Sequence, residues 1–356
     1  SVYMPKFGGT VVQAEDEISA AGIALGASYA GVKAMCGTSG PGMSLKQEFI
    51  GLASMAEIPL VIVDVQRTGP STGIPSRTEQ ADLNIATCGS HGDAPRVVLA
   101  PVDVEDCFYT AIDAFNIAEM FQIPVIILSD QFLAQRKESF NLIKTTGIPI
   151  VKRLMPSKED LKDYGRFRLS PNGVSPMAIP GLEGGEYTAV GIEHDAYGHP
   201  SSSTATHKQM SLKRARKLEV IAQEFPLVRV YGEKPAEVAI IGWGSTKGII
   251  KDVVNRLRAE GVRTIGVVPR LLHPLPTRAM TETLDGIEHY IIVEQSYSGQ
   301  FLHHLRAYLE LPARVDHYAR AGGNPLSVHE ILDFISSKIK KAPMRIAVGS
   351  QAGNPS

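Results

Sequence analysis

Cysteine is scarce in this 356-residue sequence. Cys36, Cys88 and Cys107 cannot build a disulfide framework, and no two of them have C-x-x-C spacing for a metal or cluster. A reducing, cytoplasmic compartment is therefore expected. Net charge is equally small: Lys plus Arg number 36 and Asp plus Glu 37, leaving −1, with charged residues at 21%. That balance argues against a nucleic-acid partner or an anionic membrane surface. Long hydrophobic runs are missing too. The longest, Ile58 to Val63 and Ile123 to Leu128, fall far short of the roughly 18 residues of a membrane span, so no membrane crossing is expected and both read as buried strands. The opening Ser1-Val2-Tyr3-Met4-Pro5 has no basic region leading into an apolar stretch, so no secretory signal is expected. It also has no initiating Met, which reads as a chain processed, tagged or incomplete upstream. Finally, there is no P-loop, no G-x-G-x-x-G after the first strand, no nucleophile elbow and no H-E-x-x-H pair.

What is present is an alternation of helical periodicity with short apolar runs. Helices are expected at about 15–29, 44–55 and 104–120, and strands at 33–36, 59–65, 96–99 and 124–129. Short continuous apolar strands separated by helices predict a parallel sheet covered on both faces, hence an α/β protein. The length suggests two domains with two separate cores. The first is expected at 1–150, and a second α/β unit at 230–345 with strands at 238–242, 264–268 and 289–294 and helices near 246–260 and 300–309. Between them, 151–229 reads as an irregular connector rich in Gly, Pro and Ser, followed by a helix from Met210 to Phe225. Lys213, Arg214, Arg216 and Lys217 on that helix read as a solvated face, with contact to an acidic partner as the alternative. In the pair His303-His304, one ring is expected to be packed and the other solvated.

Three local patterns bear on chemistry. Glu17 enters a helix whose remaining residues to Gly26 are almost all small or apolar. Such a carboxylate is expected to be partly desolvated and suited to proton exchange, with a first-turn Glu facing the helix dipole as the alternative. Thr38-Ser39-Gly40-Pro41-Gly42 lies between a predicted strand and helix, where glycines permit close backbone approach to a ligand or make only a tight turn. Gln66-Arg67-Thr68-Gly69-Pro70 leaves the carboxyl end of an apolar strand. An Arg there suits a carboxylate substrate, or a structural pairing with Asp64, Glu79 or Asp82.

Taken in order, Glu17 with Gly26 nine positions on, the T-S-G-P-G turn and the strand 58–63 resemble the pyrimidine-binding domain of thiamine-diphosphate enzymes. A more specific resemblance is to the alpha subunit of 2-oxoacid:ferredoxin oxidoreductases, particularly the 2-oxoglutarate type. It is carried by Q-A-E-D-E-I (13–18), T-S-G-P-G, Q-R-T-G-P-S-T-G-I-P (66–75), G-I-E-H-D-A-Y-G-H (191–199), G-W-G-S-T-K-G (242–248) and V-E-Q-S-Y-S-G-Q (293–300). It thus covers nearly the whole chain.

The resemblance implies a thiamine-diphosphate-binding pyrimidine domain followed by a domain like the transketolase carboxyl-terminal one. In the family a Glu hydrogen-bonds N1′ of the aminopyrimidine and stabilises the imino form, whose nitrogen removes the thiazolium C2 proton. Glu17 matches that position, with Glu15 as the fallback in the Glu-Asp-Glu run. Thr38, Ser39 and Gly40 match the cofactor side, and the Arg that engages the 2-oxoacid carboxylate matches Arg67. Gln66, Thr68, Arg77 and His91 are further candidates for the substrate, the last two for a distal carboxylate. The family's Tyr-Pro-Ile-Thr-Pro segment before the Glu is absent, as is the fused N-terminal domain of some members.

No acidic G-D-G motif with a later Asn is found for diphosphate and Mg²⁺, and three scattered cysteines do not make a [4Fe-4S] site. The resemblance therefore places both, and no metal in this chain, on a beta subunit, with thiamine diphosphate at the interface of a dimer of alpha-beta heterodimers. The expected reaction is CoA-dependent decarboxylation of 2-oxoglutarate to succinyl-CoA with ferredoxin as electron acceptor, or its reverse. Pyruvate or a branched-chain 2-oxoacid is the alternative substrate. Rival readings are a non-catalytic assembly subunit and an acyl-CoA synthetase-like ligase, the latter without its phosphohistidine or nucleotide-grasping signature.

Overall fold

The computed structural model describes residues 2–339; the expected end of the second domain at 345 lies outside them. In the first half the order is α1 (Glu17–Tyr29), β1 (Met35–Thr38), α2 (Gly40–Leu45), α3 (Gln47–Met55), β2 (Leu60–Gln66), α4 (Leu83–Cys88), β3 (Val97–Leu99), α5 (Val104–Phe121), β4 (Pro124–Asp130) and α6 (Gln131–Gln135). After a long irregular stretch come α7 (Thr204–Glu224), β5 (Val228–Tyr231), β6 (Val238–Ile241), α8 (Lys247–Ala259), β7 (Thr264–Pro269), β8 (Leu271–His273), α9 (Thr277–Leu284), β9 (His289–Glu294), α10 (Gln300–Tyr308), β10 (Arg314–Ala319) and α11 (Val328–Ile339). None of these helices is long and apolar enough to cross a membrane.

Two five-stranded sheets result, ordered β1-β2-β4-β3-β8 and β10-β9-β6-β7-β5. Both are parallel except at one edge, where β8 and β5 run antiparallel. The parallel α/β architecture is as expected from the sequence; the short antiparallel edges were not legible, because neither has an apolar run of its own. β8 also joins the first sheet although it follows β7 of the second, so the two units are stitched together across their boundary.

Side chains on a strand alternate between faces, and β2 shows the consequence. Val61 packs with Ile117 and Phe121 of α5 and Ile221 of α7, whereas Leu60 and Ile62 point into the core beneath α1 and α3. That second core runs on without interruption to Ile241, Trp243, Ile292 and Phe301 of the other unit. Instead of the two separate cores expected, one apolar core is shared between the sheets and flanked by two others. The small residues of α1 are explained here: Ala21 and Ala24 are buried, and a Cβ on Gly22 would stand 3.0 Å from the Phe49 ring of α3.

The basic helix corrects the sequence reading. Met210, Lys213, Arg214, Lys217 and Ile221 form the buried line of α7, while Arg216 is exposed and so is Ala215. Lys213 and Lys217 both reach Glu57, at 2.6 Å each, and Arg214 reaches Glu193 at 2.9 Å. Glu57 sits in a left-handed turn, φ 52°, between α3 and β2. The cations are thus inside because a buried acid on the first unit is aimed at them, which periodicity alone does not reveal. The irregular segment packs as well, with Arg166, Phe167 and Met177 fully buried. His304 is buried, its Nε2 2.6 Å from the Leu272 carbonyl, and His303 is exposed, as expected.

Candidate functional site

Parallel sheets expose the carboxyl ends of their strands as the usual place for ligands, and three sequence motifs meet at that edge of the first sheet. Thr38 ends β1 in register with Asp64 of β2, and Gln66 ends β2 in register with Asp130 of β4. Ser39 leaves β1 extended, and α2 begins at Gly40, within the T-S-G-P-G motif. The helix expected near 44–55 is therefore two helices that meet at Lys46.

Glu17 is brought to this edge by the start of α1. Asp16 caps that helix, accepting the Ser19 N–H at 2.8 Å, and these Ser19 hydrogen bonds hold its carboxyl below the usual range. Glu17 then takes the first helical position, and its side chain turns toward Thr38 and Gly42. A Cβ on Gly42 would fall 2.2 Å from Thr38 Oγ1, 2.7 Å from Glu17 Cγ and 3.1 Å from Glu17 Oε1. Glycine is required there because helix, turn and carboxylate converge on one point. Beneath it Lys46, fully buried, donates from Nζ to the Glu17 carbonyl at 2.8 Å.

Glu17 itself is exposed, as are its neighbours Ile18, Val11 and Val12. Partial desolvation was expected for it; within this chain it is not desolvated, because α1 opens onto the outer surface. Glu15 precedes the cap, exposed and outside the helix.

Across the turn, hydrogen-bonding capacity is left over. Thr38 Oγ1, Ser39 Oγ and Arg67 Nε are buried without hydrogen-bond partners among the described residues. Buried polar atoms are normally satisfied, so a concentration of unsatisfied ones marks a place where another molecule completes the set. Burial and the facing Asp82 carboxyl push Asp64 well above the usual carboxylate range. Burial likewise lifts Asp82 to about 6, against the Gly40 N–H and the charge of Arg67. Two such carboxyls share a proton near neutrality.

Arg67 is half-buried and forms no ion pair with Asp64, Glu79 or Asp82 among the described residues. The other substrate candidates are placed differently. The Gln66 amide is spent on the Ser129 carbonyl at 3.0 Å and the Asp82 N–H at 2.9 Å. The Thr68 hydroxyl is turned to the Thr78 carbonyl at 3.4 Å. Arg77 reaches Asn324 of the second unit at 3.1 Å. His91 lines a surface depression of about 350 Å³ with Leu52, Met55, His207 and Arg214, a lining that includes neither Glu17 nor Arg67. Sequence reasoning did not assign Lys46, and it named Asp64 and Asp82 only as partners for Arg67. The available signal was an Asp inside the otherwise apolar strand Leu60–Gln66.

A turn with free hydroxyls, a Gly cradle and an approachable carboxylate fits the aminopyrimidine of thiamine diphosphate, which presents both donors and an acceptor ring nitrogen. Comparison with known proteins points the same way. Residues 1–213 match the family described as pyruvate flavodoxin/ferredoxin oxidoreductase, thiamine diphosphate-binding, and residues 236–331 match pyruvate:ferredoxin oxidoreductase core domain II. The chain is 38% identical over 343 residues to the 2-oxoacid:ferredoxin oxidoreductase 2 alpha subunit of Aeropyrum pernix, covering 95% of this chain and 53% of that one. It is 33% identical to the 2-oxoglutarate synthase subunit KorA of Methanothermobacter marburgensis, covering 94% of this chain and 88% of the relative. Among solved structures, a 2-oxoglutarate:ferredoxin oxidoreductase from Magnetococcus marinus, holding 2-oxoglutarate, coenzyme A and succinyl-CoA, superposes with a TM-score of 0.91 at 39% identity, over 95% of this chain and 59% of that one. A split-gene transketolase shares the fold at a TM-score of 0.50 and 13% identity. The chain thus spans about half the length of several of the relatives it matches.

Proposed function

The chain belongs to the 2-oxoacid:ferredoxin oxidoreductase alpha-subunit family, and from that premise we propose that it acts in the CoA-dependent oxidative decarboxylation of 2-oxoglutarate. In that reaction 2-oxoglutarate and CoA give succinyl-CoA, CO₂ and a proton, while two ferredoxins each take one electron. The observation that carries the reading is the convergence of Glu17, Thr38 and Gly42 at one end of a sheet edge whose other end holds Arg67 without an ion-pair partner among the described residues.

Bound at this edge, thiamine diphosphate supplies the carbon nucleophile and the electron sink. The residues of this chain do the rest. Glu17 accepts a proton-bearing contact at the pyrimidine N1′, and Lys46 holds the Glu17 backbone in place. Thr38, Ser39 and the Gly40 backbone would help to hold the aminopyrimidine. Arg67 receives the 1-carboxylate through a planar guanidinium whose charge does not vary with pH. The exposed apolar surface around Glu17 suits a beta subunit that carries Mg²⁺ and a [4Fe-4S] cluster, encloses the site and excludes water. A dimer of alpha-beta heterodimers in the cytoplasm follows from this reading. The division into a pyrimidine domain at 1–150, a connector with α7 at 151–229 and a transketolase-like domain at 230–345 belongs to it as well.

The names of the Methanothermobacter and Magnetococcus proteins favour 2-oxoglutarate over pyruvate or a branched-chain 2-oxoacid. The unspent groups at the edge speak against a non-catalytic assembly role, which would not need them. Co-expression with a cysteine-rich beta subunit tests the assignment: ferredoxin reduction should depend on 2-oxoglutarate and CoA, and the chain alone should neither turn over nor hold thiamine diphosphate tightly. Tight cofactor binding by the single chain would overturn the division of labour, and preference for pyruvate would overturn the substrate.

A further inference from the structure

Between β2 and α4 the chain makes an excursion that carries Arg67 at its root. Residues 70–77 are all exposed. The neck is closed by the Thr68 N–H on the Arg77 carbonyl at 3.0 Å and the Ile74 N–H on the Thr68 carbonyl at 3.2 Å. Gly73, φ 50°, makes that closure possible, because a Cβ there would lie 1.7 Å from the Thr68 carbonyl oxygen. An exposed loop with so few anchors would be a poor support for a residue that must be placed to within an ångström.

The returning limb is held quite differently. Thr78, Glu79 and Gln80 are buried; the Thr78 hydroxyl donates to Asp130 at the end of β4 at 3.3 Å, and Glu79 and Gln80 lie against the carboxyl edge of the second sheet. The Gln80 N–H donates to the Gln295 carbonyl at 2.7 Å and the Gln295 N–H to Gln80 Oε1 at 2.9 Å, a reciprocal pair. Gln80 Nε2 donates to the Trp243 carbonyl at 2.9 Å, just past β6. Gln295, just past β9, uses Nε2 to join the Thr78 carbonyl at 3.0 Å with the Gly322 and Asn324 carbonyls at 2.8 and 2.7 Å, just past β10. Gln300 adds the Ala81 carbonyl at 2.8 Å. The edge at which a parallel sheet would ordinarily receive a ligand is here filled by a loop of the first unit.

This grip reaches Arg67 from both sides. Gln66 accepts the Asp82 N–H, and Thr68 is bonded to Arg77 and Thr78, so each neighbour of Arg67 is tied to the held limb. Among the described residues Arg67 itself contributes no ion pair that could locate it. We propose that Gln80 and Gln295 are positioning residues for Arg67, and that the second unit serves as the template on which the substrate-binding loop is set. This rests on the reading of Arg67 as the carboxylate receptor given above.

A double-mutant cycle in the assembled alpha-beta enzyme separates positioning from general support. Gln295→Met keeps the volume but removes the donors. It should raise KM for 2-oxoglutarate about tenfold or more, the scale of loss expected from a small misplacement, with a modest fall in Tm. In an Arg67→Met background the same change should alter kcat/KM less than about twofold, because the group it positions is gone, while its effect on Tm persists. Amide exchange across residues 66–77 should quicken in Gln295→Met. Multiplicative losses in the double variant, or a Gln295→Met enzyme with unaltered kcat/KM, would overturn the proposal. If Arg67→Met alone had no effect, the carboxylate reading would fall, and the positioning role with it. Should Gln295→Met fail to assemble, Gln80→Met, which leaves the Gln295 side chain in place, is put through the same cycle with the same outcomes.

Discussion

Glu57 is the residue whose replacement should cost most for the least change in shape. Its side chain is 1% exposed, and Lys213 Nζ lies 2.6 and 2.7 Å from its oxygens while Lys217 Nζ lies 2.6 Å away. Its carbonyl takes Arg166 Nη2, also at 2.6 Å. Burial opposes ionisation of Glu57, yet Lys213, Lys217 and Arg166 hold its carboxyl well below the usual range. Glu57→Gln retains the outline and removes the negative charge that faces these cations. Removing one partner of a buried ion pair costs about 3–5 kcal/mol. At roughly 2–4 °C per kcal/mol for a unit of this size, Tm should fall by about 6–20 °C. The pH dependence gives a second, signed check. Burial has brought Lys217 from 10.5 to about 7, so between those values the unfolded chain binds more protons and stability rises with pH. Without Glu57 the folded lysines lose their protons at still lower pH, and the deficit of the variant should shrink as pH is raised from about 6 to 9. Melting curves of both proteins across that range decide it, and Glu57→Gln with Lys213→Met should recover part of the loss. A variant that melts with the parent at pH near 6, or a deficit that grows with pH, would refute the reasoning.

Glu17→Gln should leave assembly and cofactor occupancy intact but slow hydrogen–deuterium exchange at the cofactor's C2 by about 10²- to 10⁴-fold; a normal rate, with Glu15→Gln slow instead, would move the role to Glu15. Arg67→Met should lower kcat/KM for 2-oxoglutarate at least about thirtyfold, equivalent to roughly 2 kcal/mol, with Tm retained and only partial rescue by Lys. Activity falling only in step with Tm would make Arg67 structural. For the Asp64–Asp82 pair the sign is opposite to that of a salt-bridged acid: the folded pKa of Asp82, about 6, lies above its ordinary 3.8, so the native state holds the extra proton and loses stability as pH rises through that window. Asp64→Asn should therefore gain stability over the parent, on the order of 1–3 kcal/mol, between about pH 5 and 8; parallel melting profiles would show that the two carboxyls do not share a proton.

The elements that carry the fold were legible because their signals are local. β2 and β4 are apolar on both faces, so their sequences read as buried parallel strands without any partner being known. α8 shows Ile250, Val253, Val254 and Leu257 at helical spacing, and these are its buried residues. Glu17, Gly42 and Arg67 stood out because each breaks its local pattern. The pairing of Lys213 and Lys217 with Glu57 was not legible, since 156 residues separate Glu57 from Lys213 and a cation on a helix looks the same in sequence whether it meets water or an acid. Nor could periodicity show that Gln80 and Gln295 grip one another, because they lie far apart in the chain and their amides find each other only when two sheets approach. Local patterning determined which segments are strands and helices and which residues are chemically unusual. Only the tertiary structure decided which charges are buried, which hydroxyls stay unsatisfied and which loop the second unit holds, because those depend on contacts between residues far apart in the chain.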